Sequence, residues 1–222
     1  MNNFNSELNE NNKIIYQCEY IELLKTNLIK YDSFPLKEFG NNRFNVNNQK
    51  FLQRFVAKDF FNYYLCDKII EESEKYAINN NGWTTDRHSN YPTTDCCLKD
   101  IKNILPLFFE QYNLIIDLIR DKYNIEDDVL FIIQDAFIVK YEYGKQNELE
   151  LHSDGGDITA NILLNNPSEF KGGGTFFADD NITYLLEKGD MLLHNGNVSH
   201  SGLKITAGKR YVLVIFFEIY KI

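Results

Sequence analysis

Basic residues are in short supply in this chain. Lysine and arginine total 23 against 32 aspartates and glutamates, and the 222 residues carry a formal net charge of −9. That balance argues against general nucleic-acid binding, which needs a basic surface. It is compatible with a cationic substrate such as a lysine-rich peptide, and equally with a merely well-solvated protein. No apolar run approaches the ~18 residues of a membrane helix. The opening MNNFNSELNENNK lacks a basic n-region and an apolar h-region, so no signal peptide is visible. Cysteines number 4 (Cys18, Cys66, Cys96, Cys97), and none forms a C-x-x-C pair. Adjacent Cys96 and Cys97 would make a strained disulfide, so reduced thiols in a cytosol-like compartment are expected. The expectation is a soluble, unanchored, cytoplasmic protein, monomeric or weakly dimeric.

What remains is rich in core material: 44% of residues are hydrophobic and 14% aromatic. One domain accounts for that length. Residues 1–50 read as an Asn-rich polar tail followed by a peripheral amphipathic helix from Ile14 to Tyr31. Residues 51–222 read as the functional domain, with helical support over 51–125 and a β-rich core over 126–222. Phe51–Lys58 reads as a short strand. Apolar residues at helical spacing predict helices over Tyr63–Ile78 and about Leu105–Lys122. Between them, residues 79–100 form a loop dense in hydrogen-bonding side chains, of the kind that sits over sites.

Beyond Ile125 the period changes. Strands are predicted at Phe131–Tyr143, Asp157–Leu164, Gly174–Phe177, Thr183–Leu186, Asp190–His194 and Arg210–Tyr220, separated by Gly- and Asn-rich turns. The fold class is therefore mostly β with supporting helices (α+β), an antiparallel sandwich or barrel with helices packed on one sheet.

Four polar residues stand out in this frame. His152 and Asp154 form H-S-D, His200 lies in V-S-H-S-G, and Arg210 opens the last apolar strand. Residues i and i+2 of an extended chain point the same way, so His152 and Asp154 can share one metal. Two imidazoles and a carboxylate on a β scaffold are the ligand set of a non-haem Fe(II) oxygenase with open coordination positions. His194 is the rival third ligand; the distance from His200 to Arg210 favours His200. Arg210 shares a strand face with Val212, Val214 and Phe216, where a guanidinium is costly unless paired. It suits a carboxylate-bearing co-substrate, or else reaches solvent or a protein acid. Tyr141, Thr159 and Asn161 are further candidate donors to a bound oxo acid, or ordinary strand residues.

The segments F-I-V-K-Y-E-Y-G-K-Q-N-E-L-E-L-H-S-D, T-A-N-I-L-L-N, F-K-G-G-G-T-F-F, K-G-D-M-L-L-H-N-G-N-V-S-H-S-G and G-K-R-Y-V-L-V-I-F-F together resemble the catalytic domain of the 2-oxoglutarate-dependent procollagen lysyl hydroxylases and, close behind, prolyl 4-hydroxylases. The upstream Y-P-T-T-D and L-C-D-x-I-I-E-E segments resemble the same family, and the likeness spans roughly residues 51–220. It implies a double-stranded β-helix (jelly roll) and Fe(II) held by His152, Asp154 and His200. It also implies 2-oxoglutarate held by Arg210 with Tyr141 and Asn161, and ascorbate as reductant. By the same resemblance Arg87 or His88 reaches the site. The implied activity is hydroxylation of a peptidyl side chain, lysine first and proline second, with release of succinate and CO2, on a protein that is lysine-rich or collagen-like. A stand-alone intracellular or viral-type hydroxylase is the form expected. A non-catalytic metal-binding jelly-roll module is the competing class, and a nucleic-acid demethylase is disfavoured by the acidic balance.

Overall fold

The computed structural model describes residues 42–88, 90–126 and 128–221. The tail and the helix expected at Ile14–Tyr31 lie outside the described residues. Among the described residues two helices, α1 (Tyr63–Asn79) and α2 (Leu105–Tyr123), accompany eleven strands. The strands are β1 (Phe55–Ala57), β2 (Asp95–Cys97), β3 (Val129–Glu142), β4 (Leu149–His152), β5 (Ile158–Leu163), β6 (Phe170–Gly172), β7 (Thr175–Phe177), β8 (Ile182–Tyr184), β9 (Met191–Asn195), β10 (His200–Gly202) and β11 (Ile205–Lys221).

Local chemistry sets the helix ends. The Asn62 side chain accepts a hydrogen bond from the Leu65 backbone N–H at 2.8 Å and caps α1. At the other end Asn81 and Gly82 adopt φ of 65° and 107°, which stops the helix. Helix α2 carries Pro106 in its first turn and closes on Asn124 in the left-handed region.

All strand pairs are antiparallel, in two sheets. The large sheet runs β1-β9-β5-β11-β3-β2, with β6 also on β11, and the small one runs β4-β10-β7-β8. From β3 onward the chain passes back and forth between the sheets: β3 large, β4 small, β5 large, β7 and β8 small, β9 large, β10 small, β11 large. That alternation is the winding of a jelly roll.

The large sheet has two buried faces. One packs on the helices: Phe108, Tyr112, Ile115 and Ile119 of α2 join Ile138, Leu213, Ile215 and Ile219 in one apolar cluster. Each such aliphatic side chain contributes ~1.5–3 kcal/mol by leaving water. The other face turns to the small sheet, where Phe137, Val139, Leu163, Phe177, Leu192 and Val212 form a second cluster. The expected sandwich, with helices on one sheet, is observed.

Two registers slip. Asp135 pairs with Phe216 while Ile133 pairs with Phe217, so Gln134 is an extra residue on β3. His152 pairs with His200 while Leu149 pairs with Gly202, which puts an extra residue into β4. Bulges of this kind re-aim side chains.

Several expectations need correction. Phe51–Lys58 is not one strand: a 3-10 turn spans Gln49–Leu52 and only Phe55–Ala57 pairs. The 79–100 loop contains β2 and a 3-10 turn at Leu98–Asp100. Strand β11 starts at Ile205, so Arg210 is interior to it. The short strands β4, β6 and β10 were not anticipated. Cys66, Cys96 and Cys97 are free and buried, as expected for reduced thiols, and burial pushes all three thiols up, Cys66 and Cys96 to about 12.

Candidate metal centre

A cavity of about 440 Å³ opens between the two sheets. Strand β4 ends on His152, the following turn carries Asp154, and β10 begins with His200, which lies opposite His152 in register. The β4 bulge lets both Leu149 and His152 line this cavity although they are three residues apart.

One ligand atom each from His152, Asp154 and His200 lies within 4.8 Å of the others. Nε2 of His152 is 3.5 Å from Asp154 Oδ1, and Nε2 of His200 is 3.5 Å from Asp154 Oδ2. Cis ligands ~2.1 Å from a common ion sit about 3 Å apart, so a small relaxation closes the set on one metal. The Nδ1 atoms are already committed: His152 to the Glu150 carbonyl at 2.7 Å, His200 to the Val198 carbonyl at 2.9 Å. A carbonyl only accepts, so Nδ1 carries the proton and each Nε2 keeps a lone pair for the ion.

Asp154 is fixed at both its backbone and its side chain. Its backbone N–H donates to the Gly196 carbonyl at 2.8 Å. Thr159 Oγ1 donates to its Oδ2 at 2.5 Å. Gly196 is required here, because a Cβ on it would stand 2.2 Å from the Gly156 carbonyl oxygen. Burial pushes the Asp154 carboxyl up, but the His200 and His152 imidazoles and the Thr159 hydroxyl outweigh it and hold it at about 2. Two neutral nitrogens and one carboxylate facing open space are a donor set that suits Fe(II).

His194 stands beside this set without belonging to it. Its Nδ1 faces the Asn195 carbonyl and its Nε2 the Asn161 amide, each at 3.0 Å. Burial and the neighbouring His200 push it down to about 3, so it is a neutral packing partner. Its ring lies 4.5 Å from that of His200 and its Nε2 orients the Asn161 amide at the cavity wall.

Arg210 lines the cavity at 4% exposure, pointing inward with Val212, Val214 and Phe216. Among the described residues no carboxylate pairs with it. Its neighbour is Tyr141, directly across in register, with the guanidinium carbon 5.3 Å from the ring centroid. Burial pulls the Arg210 value down and, less the guanidinium's help, pushes the Tyr141 phenol up. A buried cation without an anion is expensive. Among the described residues it is served neither by solvent nor by a protein acid. Gly202 makes room for Tyr141, since a Cβ there would lie 2.6 Å from its hydroxyl oxygen.

Two expected co-substrate contacts are placed differently. Thr159 serves Asp154, with its hydroxyl already donated. Arg87 lines the cavity, but its Nη1 is held by Asp95 at 2.7 Å and its Nη2 by Asp135 at 2.6 Å. Two of its five N–H groups are thereby committed to protein carboxylates. Tyr91 was not singled out; its ring stands 5.3 Å from that of His152 at the cavity wall. Its position in Y-P-T-T-D, within the polar loop, was the available signal.

No family model matches the sequence. Among curated proteins, human procollagen-lysine,2-oxoglutarate 5-dioxygenase 2 is 31% identical over 169 residues, covering 69% of this chain and 22% of the relative. The procollagen lysyl hydroxylase and glycosyltransferase of Acanthamoeba polyphaga mimivirus is 30% identical over 165 residues, covering 68% of this chain and 18% of the relative. The chain thus spans about a fifth of the length of the curated relatives it matches. Among solved structures, a viral collagen prolyl hydroxylase from Paramecium Bursaria Chlorella virus-1, in its 2-oxoglutarate complex, aligns with TM-score 0.56 at 17% identity, over 76% of this chain and 96% of that one. A 2-oxoglutarate–Fe(II) oxygenase family oxidoreductase from Burkholderia pseudomallei aligns with TM-score 0.57 at 12% identity, over 74% and 85%. At such identities these structures speak for the shared jelly roll alone. The identity to the curated relatives carries the relationship further, and the chain belongs to the family of the procollagen-lysine 2-oxoglutarate 5-dioxygenases.

Proposed function

We propose that this protein is a 2-oxoglutarate-dependent hydroxylase of peptidyl side chains, with lysine as the first-choice target. The observation that carries the reading is Arg210: a buried guanidinium with no carboxylate partner among the described residues, in the same cavity as the His152–Asp154–His200 donor set. Fe(II) in that donor set supplies the activation of O2 and 2-oxoglutarate that ends in a hydroxylated product, succinate and CO2, with ascorbate as the reductant that keeps the metal ferrous.

The chain's own residues do the rest. Arg210 takes the far carboxylate of the oxo acid, and a charge-assisted pair in a water-poor site is a strong one. The Tyr141 hydroxyl and the Asn161 amide, which line the same cavity, add hydrogen bonds to the oxo acid. Val139, Val214, Phe137 and Phe216 line the cavity and keep water from it. Thr159 and the Gly196 carbonyl hold Asp154 in one orientation. No side chain is needed as general base, since proton transfer is not the difficult step.

Lysine is preferred because the curated relatives are named for procollagen lysine. Proline is the second reading, favoured by the structural match to a viral collagen prolyl hydroxylase over 96% of its length. The test is succinate release with lysine- and proline-containing peptides, with products read by mass for a gain of one oxygen. Peptide- and Fe(II)-dependent turnover that collapses in His152→Ala and Asp154→Ala is expected. Turnover untouched by both changes would end the proposal.

A further inference from the structure

The inner face of the large sheet gives the cavity a floor with direction. In register, Arg210 faces Tyr141, Val212 faces Val139, Val214 faces Phe137 and Phe216 faces Asp135. Six residues of strand separate the first rung from the last, ~20 Å at about 3.3 Å per residue. The floor begins with a cation and crosses an apolar middle; beyond it, in register with Phe216, Asp135 holds Arg87 of the cavity lining. Arg210 claims one end for an anion. Asp135 defines what the other end accepts.

Charge at the Asp135 end does not balance. Arg87 divides one positive charge between Asp95 and Asp135. Asp95 is fully buried and also receives the Thr93 hydroxyl at 2.5 Å and the Thr84 hydroxyl at 3.3 Å. Asp135 has its own neighbour's N–H, from Ala136 at 2.9 Å, a distant Cys97 thiol at 3.9 Å, and a side chain 21% exposed. The surplus negative charge therefore falls on Asp135. His88 stands nearby, its Nε2 3.7 Å from Asp95 and 3.9 Å from Asp135, too far to hydrogen-bond either. That nitrogen is buried with no partner, as is Gln134 Oε1, from the residue inserted next to Asp135 and packed against Gly155 of the metal loop. His88 Nε2 is thus an unpartnered polar atom 3.9 Å from the Asp135 carboxylate, and Gln134 Oε1 an acceptor without a donor on the residue next to it in the chain. The path to it from the metal ligands runs past Phe137 and Phe216, whose rings meet edge to face at 5.3 Å.

We propose that Asp135 is the specificity-determining residue of this site, selecting a substrate side chain whose aliphatic stem lies along Phe137 and Phe216 and whose end is an ammonium group. The inference rests on the peptide-hydroxylase reading and sharpens it to lysine. A proline ring has no charge to offer and leaves the carboxylate unserved; an ammonium supplies both the charge and up to three donors.

The test is binding, so that it does not depend on turnover. A short fluorescent peptide with one central lysine, and the same peptide carrying Nε-acetyl-lysine, are titrated by anisotropy without oxygen, onto the full chain loaded with Fe(II) and 2-oxoglutarate. The wild type should prefer the free lysine at least tenfold. Asp135→Asn should bring the ratio to about one, and Asp135→Glu should keep most of it. Equal binding of the two peptides by wild type, or a ratio unmoved in Asp135→Asn, overturns the assignment; the wild-type comparison decides alone if the asparagine variant does not fold. A preserved ratio without succinate release counts against the hydroxylase reading only. Succinate release with a ratio of one counts against Asp135 only.

Discussion

On β11, Tyr211, Leu213 and Ile215 turn toward the helices, while Arg210, Val212, Val214 and Phe216 turn toward the cavity. The same backbone thus serves two regions with opposite character. Toward the helices, apolar side chains interlock and the polar groups are paired: Glu74 of α1 accepts from Lys140 of β3 at 2.6 Å, Tyr211 of β11 at 2.5 Å and Trp83 at 3.1 Å. Toward the cavity stand a guanidinium with no acid among the described residues, two imidazoles with lone pairs facing one carboxylate, and the orphaned Nε2 of His88. Stability and chemistry are separable here because strand side chains alternate with a period of two.

That separation can be attacked directly. Leu213→Ala, on the helix side and fully buried opposite Ile138 and Ile162, should cost ~2–5 kcal/mol of stability. Its affinity for Fe(II) per folded molecule should not change. Denaturant melts alongside metal titration check this, and a weakened metal site in the folded variant would show the regions to be coupled. Thr159→Val, on the cavity side, removes the donor to Asp154 while keeping shape. Metal affinity should fall by roughly 10–100-fold, the usual cost of losing a partner that orients a ligand, with a far smaller loss of stability. An unchanged affinity would mean that Asp154 needs no such support.

The smallest effect concerns acid. Burial works to raise the Glu74 carboxyl, but Lys140, Tyr211 and Trp83 hold it below its ordinary range. A carboxylate held low adds stability that is present above its unfolded value of about 4.3 and lost as pH falls through the folded one. Glu74→Gln should therefore flatten the acid limb of the stability curve of the metal-free protein and lower stability at neutral pH. Melts from pH 7 down to pH 3 measure it; identical slopes in both proteins would remove Glu74 from the account.

Much of this division was legible in the sequence, for physical reasons that also mark where reading stops. Helices α1 and α2 and strands β3, β5 and β11 are long enough for periodicity to register. The donor set was legible because histidine is scarce, with 4 in the chain, and because H-x-D places two ligands side by side. Alternation puts Arg210 on one strand face with Val212, Val214 and Phe216, but leaves open whether it meets a ligand, solvent or a protein acid. Strands β4 and β10 were not legible, being 4 and 3 residues long and spending polar residues on the metal. Nor were the bulges, which are properties of a pair of strands and not of either one. The partners of Arg87 lay 8 and 48 residues away, and only folding brings Asp135 to it. Thr159 and Asn161 share a face, yet the first serves the metal ligand and the second the cavity wall, a distinction that the turn after β4 decides.

The account stands on one cavity holding a metal and an oxo acid together. Oxygen-free titration of the full chain with Fe(II) and then 2-oxoglutarate, followed by visible absorbance, tests it most directly. A broad visible band should grow in wild type, fail to appear in His152→Ala, and require ~100-fold more 2-oxoglutarate in Arg210→Gln, the size expected for losing one charged partner of a buried pair. No band in wild type, or the same 2-oxoglutarate requirement with and without Arg210, would contradict it.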